Sequence, residues 1–266
     1  MTTGLDLDAA LELLREGTIS VEGRLVDASN ATLFCQISHA GADARCVYKP
    51  VAGERPLWDF PDGTLAGREV AAFAVSDAGG WGVVPPTVLR DGPFGPGMVQ
   101  LWVDTVEEPE LVGVMPPEHL PRGWLRVLDA LGSDGEPVVL AHADDPRLRR
   151  MAVLDAILNN ADRKGGHVLV EGDGGVRGVD HGVSFHVEPK LRTVLWGWAG
   201  ERLSPAEVAV LEQLRPRLDG DLGSTLSELV SRQELRAARR RVDRLLAEGR
   251  LPFPADGWPA IPWPPF

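Results

Sequence analysis

Apolar residues recur at helical spacing near the start of the chain and then alternate with polar residues over shorter runs. Residues 5–16 (LDLDAALELLRE) follow the helical period and Gly17 ends it, which predicts a short amphipathic helix. Three runs with strand character come next, VEGRLVDA, ATLFCQIS and ARCVYKPV. The turn-rich segment HAGAD separates the second run from the third, so we expect these two strands to form a hairpin.

One further helix and two further strands are predicted before residue 103. The run REVAAFAVSDAGG contains helix-forming residues and ends in two glycines, which predicts a helix from about Gly67 to Asp77. The run VVPPTVLRDGPFGPGMVQLWVD predicts two strands around a Gly/Pro turn. This part of the chain is therefore expected to be mostly strand.

The pattern changes after residue 103. The segment DTVEEPELVGVMPPEHLPRG is acidic and proline-rich, which is typical of a connection between lobes. A helix is predicted from Asp144 through DDPRLRRMAVLDAILNNADR, with Pro146 in its first turn, and HVLVEG and VRGVDHG predict a short hairpin. Two later helices begin with the capping boxes SPAE (204–207) and SRQE (231–234). The Pro- and Trp-rich tail LPFPADGWPAIPWPPF is expected to pack irregularly over the surface.

Composition and charge exclude several classes of protein. The 266 residues carry a formal net charge of −12, which argues against a general binder of nucleic acid or of anionic membranes. No apolar run approaches the roughly 20 residues of a membrane span, and the N-terminal segment has acidic residues where a signal peptide is basic. Only Cys35 and Cys46 are present, so no disulfide framework is indicated. We therefore expect a cytoplasmic protein without integral membrane association.

Lysine is rare in this chain. Only three of the 27 basic residues are lysines, namely Lys49, Lys164 and Lys190. Where arginine is the habitual cation, a remaining lysine marks a position that requires a compact ammonium group. Of the three, Lys190 is the one we expect to be merely exposed.

Four residues form a pattern that suits phosphate chemistry. Strand alternation places Val47 and Lys49 on one face, and a predicted helix presents Glu69 about twenty residues later. A lysine held by a helix glutamate supplies a fixed cation for a nucleotide phosphate. Asp162 follows a buried helix and Asp180 follows the hairpin. One carboxylate can accept a hydroxyl proton while the other holds a divalent metal against phosphates.

The order of these elements is that of the kinase signature set, although no HRD and no GxGxxG is present. The chain resembles the phosphatidylinositol 3/4-kinase-like branch, especially type II phosphatidylinositol 4-kinases, HipA-type kinases and a group of actinobacterial proteins similar to them. The resemblance lies first in two motifs. NADRKGGH (160–167) is similar to N-x-D-R-x-x-x-N, and VDHGVSF (179–185) is similar to I-D-N-G-x-x-F. It also lies in VQLWV (99–103) and in the pair Lys49-Pro50.

The resemblance implies a role for each matching residue. Lys49 would contact the α- and β-phosphates of ATP, and Glu69 would orient it. Asp162 would be the catalytic base, and His167 and Asp180 would hold Mg²⁺ or Mn²⁺. The remaining expected nucleotide contacts are Ser29 and Asn30 in a phosphate-covering loop, and Leu101, Trp102 and Val103 along the adenine.

Two positions depart from the family pattern. His167 replaces the usual asparagine, and imidazole suits Mn²⁺ or Zn²⁺ better than Mg²⁺. The loop DASNAT between the first two strands has no glycine to cradle a phosphate. Both departures are compatible with a nucleotide-binding pseudokinase that regulates a partner without turnover.

The leading prediction is an α+β, two-lobed, protein-kinase-like fold with a β-rich N-lobe over residues 1–103 and a mainly helical C-lobe over 104–266. The predicted activity is transfer of the ATP γ-phosphoryl group to a hydroxyl of a protein or a small metabolite. A lipid acceptor is less favoured because the chain is acidic. AMP transfer remains open. So does a phosphohydrolase with a metal site built from these residues: His142, His167, Asp180, His181 and His186.

Overall fold

A five-stranded antiparallel sheet forms the N-terminal part of the molecule in the computed structural model, which describes residues 5–25, 30–61, 63–106 and 110–266. The strand order is β1-β2-β3-β5-β4. The strands are β1 (Thr18–Arg24), β2 (Leu33–His39), β3 (Ala42–Pro50), β4 (Thr87–Gly92) and β5 (Gly95–Leu101). The predicted hairpin is the β2–β3 pair.

Two helices pack against this sheet, and both were predicted. Helix α1 (Leu7–Glu16) starts at Asp6, whose carboxylate accepts from the Ala9 amide, and it buries Leu13 and Leu14. Helix α2 (Leu65–Ala78) packs against β4 and β5. Its first amides donate to Thr64 and to the Glu54 carboxylate, so the start of α2 is tied to the segment that follows β3.

A second sheet, which the sequence pattern did not predict, lies in the C-terminal part. Residues 104–123, read only as a connection, contain β6 (Val112–Met115). This strand pairs with β8 (Pro137–Ala143), which also pairs with β7 (Trp124–Leu131). Strand β6 has only four residues, and most of β7 is exposed, so neither strand shows the alternation of apolar and polar residues that identifies a half-buried strand.

The rest of the C-terminal part is largely helical. Helix α3 (Pro146–Leu158) lies in the main core, with Leu148, Met151 and Leu154 fully buried. A short hairpin of β9 (Val168–Val170) and β10 (Val176–Gly178) follows it. Three helices come later, namely α4 (Pro205–Asp219), α5 (Asp221–Ser227) and α6 (Arg232–Glu248). Both predicted capping boxes are confirmed, at the starts of α4 and α6. The molecule therefore has a β-rich N-terminal part and a helical C-terminal part.

A buried guanidinium connects the segments that surround the end of α3. Arg163 is 0% exposed and makes two bonds to Asp155 of α3, from Nε to Oδ2 (2.9 Å) and from Nη2 to Oδ1 (3.0 Å). Its Nη1 donates to the carbonyl of Val179 (2.9 Å), and its Nη2 lies 2.6 Å from His181 Nε2. Burial and the nearby guanidinium hold the pKa of His181 well below its usual range, so this ring is neutral and can accept.

Replacing Arg163 tests how much stability depends on this interaction. We expect Arg163→Met to lower the free energy of unfolding by about 3–5 kcal/mol, because Asp155 would keep a buried, uncompensated charge. The exposed Arg236 is a matched control, and Arg236→Met should change stability by less than about 0.5 kcal/mol. Urea unfolding of both variants measures the difference. Equal stability of Arg163→Met and the unsubstituted protein would contradict this account.

Candidate functional site

Lys49 lies at the centre of a group of charges that the sequence predicted would meet. Its Nζ is 2.7 Å from Glu69 Oε1 and 2.9 Å from Asp180 Oδ1. The second oxygen of Glu69 accepts from the His181 amide (2.9 Å), so α2 is joined to the segment after β10. Three separate parts of the chain thus converge on one ammonium group.

Local structure explains how these side chains come together. In β3, Cys46 and Tyr48 are buried in the sheet core, while Val47 and Lys49 lie on the opposite face and line a cavity, as alternation predicted. Asp180 has φ +61°, in the left-handed region that few non-glycine residues adopt. Strained backbone of this kind is concentrated at functional sites.

The electrostatics fix the charge state of this group. Burial alone would lower the pKa of Lys49, but the attraction of Asp180 and Glu69 outweighs it and raises that pKa. The Lys49 ammonium holds the pKa of Asp180 well below its usual range. Burial raises the pKa of Glu69, while Lys49 and the His181 amide offset part of this effect. Lys49 and Asp180 are therefore charged at neutral pH.

Asp162 lies on a loop that begins where α3 ends. Its amide donates to the side-chain oxygen of Asn160 (3.0 Å), so Asn160 shapes the loop. Two cations face its carboxylate, with Lys164 Nζ 3.6 Å and Arg192 Nη2 3.9 Å away. Burial raises the pKa of Asp162 even though Lys164 lowers it, which makes this carboxylate a better proton acceptor.

His167 and Asp180 offer a pair of donors that fits a divalent cation. The separation between His167 Nε2 and Asp180 Oδ2 is 3.4 Å. Ligand atoms lie about 2.0–2.2 Å from a divalent ion such as zinc, so these two atoms can contact the same ion. Burial lowers the pKa of His167 to about 4, and the ring is therefore neutral, as a metal ligand must be.

The histidine-rich metal site considered from the sequence does not form. Within the described ranges, no group of three or more His, Cys, Asp or Glu side chains could hold a metal ion. His142 makes structural contacts instead: its Nε2 accepts from the Gly197 amide, and its ring packs on Trp198. His186 bonds its own loop at Glu188.

Two cavities meet at the predicted catalytic residues. The first, which we call the hinge cavity, has a volume of about 710 Å³ and is lined by Val47, by residues 100–103 and by Val179. The second, which we call the tail cavity, has a volume of about 580 Å³ and is lined by residues 54–55 and 57–60 and by Trp258 and Trp263. Five residues line both cavities: Asn30, Lys49, Asp162, Lys164 and Asp180.

The predicted adenine contacts Leu101, Trp102 and Val103 all line the hinge cavity. The Leu101 amide already donates to Pro86 and the Trp102 amide to Arg45, so Val103 is the one of the three whose amide has no partner among the described residues. The Trp102 ring packs edge-on against Phe34 of β2.

The two residues predicted to cover the phosphates have different outcomes. Ser29 lies outside the described residues. Asn30 lies at the cavities, and its side-chain oxygen accepts from the Arg55 amide (2.9 Å).

Sequence reasoning missed the aromatic wall of the tail cavity. Lys190 is 4% exposed and not on the surface as expected, because its Nζ pairs with Asp59 (3.0 Å) and lies over the rings of Trp58 (5.2 Å) and Trp258 (4.5 Å). The tail is irregular, as expected, and it reaches the loop that carries Asp162. The one sequence signal was the density of tryptophan in the tail, and it does not show where those rings lie.

Comparison with known proteins places this chain in a family. The chain is 51% identical over 264 residues to the protein Rv2133c of Mycobacterium tuberculosis, covering 96% of this chain and 94% of that protein. No family model matches the chain.

Two solved structures of kinases are similar to this chain to different degrees. The Golgi casein kinase matches 91% of this chain and 74% of its own, with a TM-score of 0.53 at 14% identity. The Helicobacter pylori proinflammatory kinase CtkA matches 90% of this chain and 94% of its own, with a TM-score of 0.43 at 10% identity. The match to the Golgi casein kinase, together with the β-rich N-terminal part and the helical C-terminal part, confirms the predicted two-lobed, kinase-like fold. The protein belongs to the family of the mycobacterial protein Rv2133c, and its fold is kinase-like.

Proposed function

We propose that this protein is an ATP- and divalent-metal-dependent phosphotransferase that transfers the γ-phosphoryl group to a hydroxyl. The observation that carries the proposal is the wall shared by the hinge and tail cavities. A nucleotide in one cavity and an acceptor in the other would meet at Lys49, Asp162 and Asp180. Phosphoryl transfer requires this arrangement, since donor and acceptor must approach in line on either side of the transferred group.

Each residue has a proposed role in that reaction. The hinge cavity holds the adenine between apolar side chains, with the Val103 amide available as a donor. Lys49, oriented by Glu69, neutralises the phosphates. Asp162 accepts the hydroxyl proton, for which its raised pKa and position suit it. We also propose that the boundary between the N-lobe and the C-lobe follows residue 103.

His167 and Asp180 would hold the metal, which when bound neutralises phosphate charge. Mn²⁺ is the better candidate of the two predicted ions, because imidazole is a softer ligand than the asparagine that it replaces. The assignment to the phosphatidylinositol 3/4-kinase-like type rests on the motifs of residues 160–167 and 179–185.

None of the helices in the described ranges is long and apolar enough to cross a membrane.

The same site would also suit two other functions, those of a pseudokinase and of an AMP transferase. A pseudokinase would bind nucleotide without releasing ADP, and an AMP transferase would release pyrophosphate. The products of the reaction therefore separate these functions from the proposed one.

Removing the Asp180 carboxylate tests the nucleotide and metal site. ATP with Mn²⁺ should raise the melting temperature, because a ligand at one hundred times its Kd stabilises the native state by about 2.7 kcal/mol. We expect Asp180→Ala to abolish the metal-dependent part of this rise. Asp134→Ala, in an exposed turn, is the matched control and should respond like the unsubstituted protein. A full metal-dependent rise in Asp180→Ala would refute the assignment.

Replacing Asp162 tests the proposed base separately from binding. Asp162→Asn should bind ATP and Mn²⁺ as the unsubstituted protein does, but release ADP at least about 100-fold more slowly, because the proton acceptor is lost. The measurement is ADP release with water as the acceptor, together with nucleotide affinity. Unchanged ADP release in Asp162→Asn would remove this residue from the mechanism. No ADP release from the unsubstituted protein would favour the pseudokinase.

A further inference from the structure

We infer that the tail cavity binds the phosphoryl acceptor and that this acceptor is a small anionic alcohol, a hydroxyl compound that carries a phosphate or a carboxylate. The inference rests on the proposed function and narrows it, since the sequence left a protein and a metabolite equally open. Four features of the cavity carry it: charge, aromatic walls, size and attachment of the tail.

The charges beside Asp162 favour an anion. Lys49 is engaged by Glu69 and Asp180 and, in the proposed reaction, by the nucleotide phosphates, so it does not hold the acceptor. Lys164 and Arg192, in contrast, share the single carboxylate of Asp162, at 3.6 Å and 3.9 Å. Arg55 adds a third cation at the exposed rim. Glu54 and Asp59 also line the cavity, so the positive charge is local. Beside Asp162, two cations face one carboxylate and would hold an anionic group next to the proposed base.

The walls of the cavity are aromatic and open to solvent. Trp58 is 85% exposed and Trp263 is 84% exposed, and both line the cavity together with Trp258. Exposed aromatic side chains around a concave site with a few charged groups are the usual composition of a small-molecule site. The buried Lys190 lies over the rings of Trp58 and Trp258 and so contacts both walls.

The size of the cavity suits a metabolite. Small-molecule sites are commonly about 300–1,000 Å³, and the tail cavity has about 580 Å³. The tail contributes Trp258 and Trp263 to the lining of this space.

The tail is firmly attached beside the catalytic loop. The Gly165 amide donates to the Pro265 carbonyl (2.8 Å), and the Phe266 ring lies so close that a Cβ at Gly165 would be 2.2 Å from it. The Ala260 carbonyl accepts from the Thr193 amide (3.1 Å) and from the indole of Trp196 (2.8 Å). The position of Trp258 and Trp263 is therefore set by the fold.

In the proposed reaction the acceptor hydroxyl attacks the γ-phosphorus. A new O–P bond forms, and the bond from the γ-phosphorus to the β,γ-bridging oxygen breaks. ADP leaves with that electron pair, and the hydroxyl proton passes to Asp162. The anionic group of the acceptor would lie against Lys164 and Arg192, which keeps the hydroxyl near the base.

The first experiment measures anion binding with the hinge cavity filled. The protein is saturated with a non-hydrolysable ATP analogue and Mn²⁺ and is then titrated separately with glycerol 3-phosphate, glycerate and glycerol. Tryptophan fluorescence reports the binding of each probe. We expect binding of the phosphate or the carboxylate probe, which identifies the anionic group, and at least tenfold weaker binding of neutral glycerol. No anion binding, or equal binding of all three probes, would overturn the inference.

Variants locate the bound anion. Lys164→Gln and Arg192→Gln should each weaken anion binding at least tenfold, while Arg192→Lys should retain most of it because the charge remains. The exposed Arg236 of α6 provides the control Arg236→Gln, with unchanged binding expected. Unaltered affinity in Lys164→Gln and Arg192→Gln would place the anion elsewhere and overturn the inference.

Transfer of label separates a metabolite from a protein acceptor. Labelled γ-phosphate of ATP should pass to the small-molecule fraction of a bacterial extract, and Trp258→Ala should reduce that transfer while Trp258→Phe retains it. Label in the protein fraction alone would overturn the inference. Failure of nucleotide to bind would instead refute the proposed function, so the two failures are distinguishable.

Discussion

The site depends on one buried cation, the guanidinium of Arg163. A charge without solvent contact must be compensated, and Arg163 is compensated by Asp155 of α3 and by the carbonyl of Val179. These bonds fix the loop after α3 relative to the segment after β10. Since Asp162 precedes Arg163 and Asp180 follows Val179, both carboxylates are placed by the same interaction. His181 extends this constraint to the sheet, because its ring accepts from Arg163 and its amide donates to Glu69, the partner of Lys49.

The elements that the sequence predicted correctly are those with local signals. Helix α1 has a regular apolar period and an Asp cap, and α4 and α6 have capping boxes at Ser204 and Ser231. What local signals could not show is pairing across the fold. Arg163 and Lys190 are charged residues that a sequence pattern assigns to the surface, and only their distant partners explain why both are buried. The short strand β6 and the mostly exposed β7 carry too little alternation to be recognised.

The candidate site shows the same division. The order of Lys49, Glu69, Asp162 and Asp180 was sufficient to predict that these residues meet, because it follows the order of elements in a kinase-like fold. The tail cavity had no such signal, since Trp58 and Trp258 are two hundred residues apart and meet only through Lys190. The charge states favour different roles for these residues. A neutral His167 and an ionised Asp180 suit metal binding, whereas the raised pKa of Asp162 suits a general base.

The central claim is that the hinge cavity holds the nucleotide and that His167 and Asp180, which both line this cavity, hold its metal. The most direct measurement is anomalous diffraction from crystals grown with Mn²⁺ and a non-hydrolysable ATP analogue. The account predicts one manganese ion bound by His167 and Asp180, with the adenine beside Val103 and the γ-phosphate facing Asp162. Manganese bound away from His167 and Asp180, or the nucleotide located in the tail cavity, would contradict it.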